Sequence, residues 1–398
     1  MSDGTRALSR VNERLARFGT SIFAEMSGLA VEHGAINLSQ GFPDFDGPAF
    51  LVDEAVAAMR AGKNQYARSM GVVELVTAIA AHRAHFYGVE LDPMREVVVT
   101  AGATEGIAAA LLGLVEPGDE VIVFEPFYDS YPACVTMAGG VVKTVRLAFP
   151  DLALDVDALR AAWTAKTKLI LLNTPHNPTG KVFTRDELMA IAAFATEKNL
   201  LVVADEVYEH LTFDGTEHIP IATLPGMRER TVTLSSAGKT FSFTGWKIGW
   251  AMGPAPLIAG VQNAHQFLTF AVSTPFQFAV AHALHAVVGG AYLGTFKSEY
   301  AARRAKVLRA LDDAGLRAFT PAGTYFIMAD FSAHSDDDDR TFAKWMTREL
   351  RVACIPPSVF YANDAPRSLL RFAFCKRDET LDLAALRLRA LRDRVRNA

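Results

Sequence analysis

The sequence predicts an α/β protein built on a mostly parallel sheet, with a smaller α+β unit beside it. Three observations lead there. Short apolar runs alternate with helical stretches over residues 97–251, the pattern of strands covered on both faces by crossover helices. Polar residues suited to chemistry follow directly after several of those runs, where open α/β sheets bind their ligands. After about Gly290 the alternation gives way to one long helical stretch and then to mixed structure. We therefore expect a large unit over residues 47–290 and a smaller one made from 1–46 together with 291–398.

Taken in order, residues 97–100, 120–124, 141–145, 168–172, 200–204, 231–235 and 248–251 read as short buried strands, each dominated by apolar or β-branched side chains. Helices are expected at 104–114 and 186–198. The second is announced by Thr184 three residues before Glu187, the spacing of a capping box. Residues 292–314 read as the long helix, and 369–374 as a strand of the smaller unit. The acidic run Ser335–Asp339 reads as a solvated helix start rather than a metal site.

Residues 235–250, SSAGKTFSFTGWKIGW, place Ser236 three residues before Lys239 and Lys247 eight beyond it, with small residues between. An amine beside a hydroxyl and a second cation suits a cofactor that carries an aldehyde and a phosphate, namely pyridoxal 5'-phosphate. Two further pieces fit. Asn177 lies in the turn sequence NTPHNPTGK after the run at 168–172. Asp205 closes the run at 200–204, where a buried carboxylate is costly without a cationic partner. A protonated pyridine nitrogen is such a partner; the plainer role for Asp205 is a helix N-cap. Tyr208, three residues on, brings a phenol within reach of the same ring.

These residues, with Arg371, occur in the order and spacing of fold-type I aminotransferases of class I/II, which the chain resembles from INLSQGFPDF at 36–45 to LLRFAF at 369–374. The motifs SQGFPDF, NQYARSMG, EPFYDSY, NTPHNPTGKVF, DEVYEH and GKTFSFTGWKIGW are similar to those of the subgroup holding kynurenine and bacterial methionine aminotransferases, and HQFLTFAVSTP at 265–275 leans toward the methionine branch. The resemblance implies a ping-pong transamination in which Lys239 carries the cofactor as a Schiff base and moves the α-proton. It assigns Asp205 to the ring nitrogen, Asn177 and Tyr208 to the ring 3′-oxygen, and Tyr128 to stacking on the ring. The phosphate falls to Ala103 and Thr104 at a helix start, with Ser236 and Lys247. Gly41, Asn177 and Arg371 would take the substrate α-carboxylate. Tyr66 would reach the phosphate of a neighbouring subunit, making the protein a homodimer.

Ile22, Phe23, Phe267 and Phe270 suggest apolar walls, and no second arginine has a recognisable position for a distal carboxylate. The expected donor is an uncharged amino acid, methionine foremost, and the acceptor a 2-oxo acid. Kynurenine- or glutamine-type transamination and carbon–sulfur β-elimination are the alternatives. A net charge of −4 over 398 residues gives no reason to expect nucleic acid or an anionic membrane as a partner. Cys134, Cys354 and Cys375 are scattered, which suits a reducing cytoplasm better than a disulfide framework. The polar N-terminus does not read as a secretory signal, nor does any stretch read as a membrane span. Ser236-x-x-Lys239 also matches the serine–lysine motif of penicillin-recognising hydrolases, but the Ser-Asp-Asn and Lys-Thr-Gly that accompany it are missing.

Overall fold

The computed structural model describes residues 12–16, 18–290 and 292–394. The first eleven residues, on which part of the reading of the N-terminus rests, lie outside them, as do the last four. Seven strands form the main sheet: β1 (Val97–Thr100), β2 (Glu120–Glu125), β3 (Val141–Arg146), β4 (Thr167–Asn173), β5 (Leu201–Asp205), β6 (Thr231–Ser236) and β7 (Gly249–Met252). Their spatial order is β1-β7-β6-β5-β4-β2-β3. The neighbours from β6 across to β3 pair in parallel.

Alternation along the strands explains why the sheet needs cover on both faces. Val121, Val123, Leu169, Leu171 and Val203 enter one core with Ile107 and Leu111 of helix Gly102–Leu114 and with Ile258 and Val261 of helix Ala255–Leu268. Their neighbours Ile122, Phe124, Ile170, Leu172 and Val202 enter another with Leu188, Ile191 and Phe194 of helix Arg185–Glu197. That helix starts as expected, with the reciprocal capping box between Thr184 and Glu187.

A second, antiparallel sheet is made by β8 (Arg317–Phe319), β9 (Phe326–Asp330) and β10 (Leu369–Ala373), with β9 in the middle. Phe296, Tyr300, Val307 and Leu311 of the long helix Tyr292–Asp313 share its core with Phe326, Phe372 and Phe374. The N-terminal segment joins this part of the chain. Ile36–Asn37 pairs in parallel with Val352–Ala353, and the Ala373 N–H donates to the Leu38 carbonyl at 2.8 Å.

Two sequence readings change. The run at 248–251 is displaced by one residue, and its strand β7 is antiparallel to both β1 and β6. Apolar patterning fixes which residues are buried but carries no direction. The acidic run does start a helix, Asp339–Trp345, with the Asp338 carboxylate accepting from the Thr341 N–H. Asp339, however, is buried rather than solvated, and its carboxylate accepts from the N–H and hydroxyl of Ser358. Among the described residues no single helix is long and apolar enough to cross a membrane.

Candidate active site

One cavity of about 240 Å³ lies off the ends of β4, β5 and β6, with Arg371 of β10 in its wall. It is lined by every residue expected to hold the cofactor or the substrate carboxylate except Tyr66.

The carboxylate comes from strand termination. Asp205 is the last residue of β5 and is 5% exposed. The Tyr131 hydroxyl donates to its Oδ2 at 2.8 Å, and the Val207 N–H reaches Oδ1 at 3.3 Å. Residues 207–210 form turns rather than a helix, so the N-cap role does not apply. Burial pushes this carboxyl up to about 6, against the pull of its Tyr131 and Val207 hydrogen bonds and the Lys239 charge. Asn173, at the end of β4, supports the loop from below: its Nδ2 donates to the Asp205 carbonyl and its Oδ1 accepts from the Asn177 N–H.

The amine follows from the short helix Ala237–Thr240 that succeeds β6. Lys239 Nζ donates to the Tyr325 hydroxyl at 2.8 Å and lies 5.5 Å from the Tyr208 ring centroid. Burial lowers this ammonium to about 8, Lys247 and Arg371 push the same way, and Cys375 and Asp205 oppose them. About one such lysine in ten is then neutral at pH 7, against roughly one in several thousand at the ordinary value.

Arg371, in the centre of β10, is 1% exposed. Its Nη1 donates to Asn177 Oδ1 at 3.0 Å and its Nη2 to the Ser39 carbonyl at 2.8 Å, while its Nε has no partner. Its guanidinium lies 4.0 Å from the Phe326 ring centroid and 5.3 Å from that of Phe23. Among the described residues no carboxylate is within ion-pair distance of it. A buried cation held by neutral acceptors, with one N–H left over, is equipped to receive an anion.

The cradle for a phosphate is made by glycine. Gly102 opens the helix Gly102–Leu114 with φ +74°, and a Cβ there would sit 3.0 Å from Lys247 Nζ. The positive φ favours glycine, and the missing Cβ leaves Lys247 room beside the positive end of the helix, where Ala103 and Thr104 face the cavity with Ser236. Tyr128 closes one side, its phenol pushed up to about 12 by burial and the nearby Asp129 and Asp205 carboxylates. Tyr208 is buried, and its phenol is also raised by burial. Gly41 borders the cavity opposite.

Tyr66 is 83% exposed, outside the cavity, edge-on to the exposed Phe270 with 5.2 Å between ring centroids. Phe267 is likewise on the surface and Ile22 is in the core, so Phe23 alone of the expected walls faces the cavity. Sequence reading missed Tyr131, Asn173, Tyr325 and Phe326. Tyr131 lies in the motif at 125–131, three residues after Tyr128, and that proximity was its one available signal.

Behind Asp205, Arg83 Nη1 donates to Glu206 Oε2 at 3.3 Å and to Glu209 Oε2 at 3.2 Å, all three side chains buried. Despite its burial the guanidinium is held above its ordinary value by the two carboxylates. It ties helix Val73–Tyr87 to the turn that follows β5. Removing one side of a buried ion pair costs about 3–5 kcal/mol. Arg83→Met is therefore expected to lose about that much stability in denaturant titration of the full chain. A loss below about 1 kcal/mol would mean that the carboxylates find other partners.

A lysine, a strand-end carboxylate and an unpaired arginine around one cavity, on a sheet of this order, define the fold and site of a fold-type I transferase. Residues 33–388 match the aminotransferase class I and II family, and the chain belongs to it. The family's cofactor is pyridoxal 5'-phosphate, and its members act on amino and 2-oxo acids. The probable N-succinyldiaminopimelate aminotransferase of Mycobacterium tuberculosis is 49% identical over 393 residues, which cover 96% of this chain and 98% of that one. Its solved structure superposes with a TM-score of 0.93. The methionine aminotransferase of Escherichia coli is 43% identical over 378 residues, covering 95% and 97%, and its structure also gives 0.93. The kynurenine–oxoglutarate transaminase of Dictyostelium discoideum is 42% identical, covering 94% of each chain.

The residues present fit the cofactor. Asp205 is a buried carboxylate with no ion-pair partner among the described residues, and a Cβ at Gly102 would crowd Lys247 Nζ at 3.0 Å, beside the helix start.

Proposed function

We propose that this aminotransferase takes the amino group from an uncharged amino acid, methionine foremost, and passes it to a 2-oxo acid in two half-reactions. The observation that carries this reading is the shared cavity of Lys239, Asp205 and Arg371, in which Lys239, Arg371 and Lys247 are the lining cations. Each of the three cations has an assigned anion or reacting group. A distal carboxylate on the donor would meet no further cation among the described lining residues, and Phe23 and Phe326 offer it apolar surface instead.

Lys239 would hold the cofactor, with Asp205 at its ring nitrogen, Asn177 and Tyr208 at its 3′-oxygen and Tyr128 against its ring. Ala103, Thr104, Ser236 and Lys247 would hold the phosphate. When bound, the cofactor supplies an electrophilic carbon for the amine and a ring that accepts electrons from the α-carbon. Arg371 and the Gly41 N–H orient the donor by its carboxylate, with the Nε of Arg371 free to bond it. The Lys239 amine, neutral in useful amount near neutral pH, takes the α-proton on Nζ and returns it.

Gly41 and Arg371 belong to the unit formed by 1–46 and 291–398, and the remaining groups to 47–290, so binding a donor would draw the two together. Exposed Tyr66, Phe267 and Phe270 support a homodimer in which Tyr66 reaches the neighbouring subunit's phosphate site.

A second donor, N-succinyldiaminopimelate, is favoured by the relative with 49% identity. The test is to mix cofactor-loaded protein with methionine alone and follow absorbance. Loss of the lysine-bound band with one equivalent of the methionine oxo acid is expected. A response to N-succinyldiaminopimelate or kynurenine with none to methionine would reassign the donor. Pyruvate and thiol released from cysteine conjugates would instead indicate β-elimination.

A further inference from the structure

Tyr325 stands just before β9 and reaches into the site from the smaller sheet. Its ring is buried, stacked on Tyr300 at 6.1 Å and 23° and edge-on to Tyr208 at 5.1 Å and 90°. The hydroxyl is thus held in one place. It donates to the Gly41 carbonyl and accepts from Lys239 Nζ. A phenol has one hydrogen, and with that hydrogen committed to Gly41 only the oxygen's lone pairs face the lysine. The amine must donate to Tyr325, and when neutral it turns its own lone pair elsewhere. Gly41 is equally constrained from its other side. A Cβ there would come within 2.6 Å of Phe326 Cζ and 3.2 Å of Tyr325 Cε2, so this backbone lies flush on the two aromatic rings.

We propose that Tyr325 is a positioning residue that couples the Gly41 segment, where the donor carboxylate is bound, to the amine of Lys239. The inference deepens the proposed function and rests on it for the roles of those two residues. When the Gly41 carbonyl shifts, the Tyr325 O–H bond polarises more or less, and its oxygen becomes a stronger or weaker acceptor for the Lys239 N–H. No covalent bond is made or broken: the phenol keeps its proton throughout.

The other groups around Lys239 are Asp205 and Cys375, which favour its charged form, Lys247 and Arg371, which disfavour it, and the Tyr208 ring. The charged groups keep their partners when the Tyr325 oxygen alone is removed, and only the Tyr208 hydroxyl, which also interacts with that oxygen, loses a neighbour. In cofactor-free, full-length protein, acetylation of Lys239 by acetic anhydride across a pH series, read by peptide mass spectrometry, gives the midpoint for amine exposure. An oxygen that only accepts stabilises the ammonium over the amine. Tyr325→Phe is therefore expected to lower the midpoint by about one pH unit.

Gly41→Ala, which keeps both the amine and the phenol but forces the Gly41 backbone and the Tyr325 and Phe326 rings apart, is expected to move the midpoint in the parent protein and not in the Tyr325→Phe background, a coupling that the double-mutant comparison isolates. An unmoved midpoint in Tyr325→Phe, or the same shift by Gly41→Ala in both backgrounds, would overturn the coupling. Should Tyr325→Phe fail to fold, by near-ultraviolet circular dichroism, an unmoved midpoint in Gly41→Ala alone overturns it. The underlying reading fails differently: pyridoxal phosphate added to the wild-type chain would then give no borohydride-fixed adduct on Lys239.

Discussion

Lys239→Ala is expected to abolish turnover, by at least about 10⁴-fold, while leaving the fold and the cofactor pocket in place. General-base contributions alone run to about 10²–10⁴, and this residue is also the covalent tether. The side chain is half-buried beside Tyr208 and Tyr325, both packed by other aromatics, so its loss opens space without removing an ion pair. Single-turnover transamination assays on the cofactor-loaded variant test this. Activity within tenfold of the parent would remove Lys239 from the chemistry.

Asp205→Asn is expected to do two opposite things. Removing the charged partner of a buried cation costs about 3–5 kcal/mol, and if that pairing strengthens in the transition state the rate falls by about 10²–10⁴. The cofactor-free protein should respond the other way. The Asp205 carboxyl sits near 6 when folded, above its ordinary 3.8, because burial disfavours the anion. The folded chain then binds the proton more readily than the unfolded one, so Asp205 is harmless to stability below about pH 4 and costs most above about pH 6. Asparagine keeps the size and a hydrogen-bond acceptor for Tyr131 without that cost. Denaturant titrations of the cofactor-free variant should therefore show equal or higher stability at pH 7, with the difference vanishing at pH 4. Full activity in the asparagine variant, or a large loss of stability at pH 7, would show that the carboxylate serves the fold and not the ring.

The parts of the site that the sequence made legible are those whose position follows from local rules. Asn177, Asp205 and Ser236 stand just past or at the ends of apolar runs, and a reader of strands finds them without knowing what pairs with what. The capping box of helix Arg185–Glu197 is legible for the same reason. Illegible were the contacts made across the chain. Tyr131 meets Asp205 over 74 residues, announced only by its closeness to Tyr128, and Tyr325 meets Lys239 over 86, with nothing local to announce it. Phe267 and Phe270 were read as pocket walls because apolar side chains are usually inside; at 87% and 53% exposed they are surface residues of this chain. The direction of β7 was also hidden, since a strand of this length has the same apolar pattern read either way.

That reversed strand has a consequence for how the protein tolerates change in length. Ser236 and Gly249 are register partners, so the stretch between them, with both Lys239 and Lys247, is a loop pinned at both ends on the ligand-bearing rim. The connections after helices Gly102–Leu114 and Arg185–Glu197 run instead along the opposite rim. An inserted residue there lengthens a surface turn. Inserted between 239 and 247 it lengthens the span between the two lysines while the Ser236–Gly249 pairing holds the ends, displacing one lysine relative to the other. A change of loop length is thus expected to be milder on one rim than on the other, where the register of two antiparallel strands fixes how far apart the ends of the lysine-bearing loop lie.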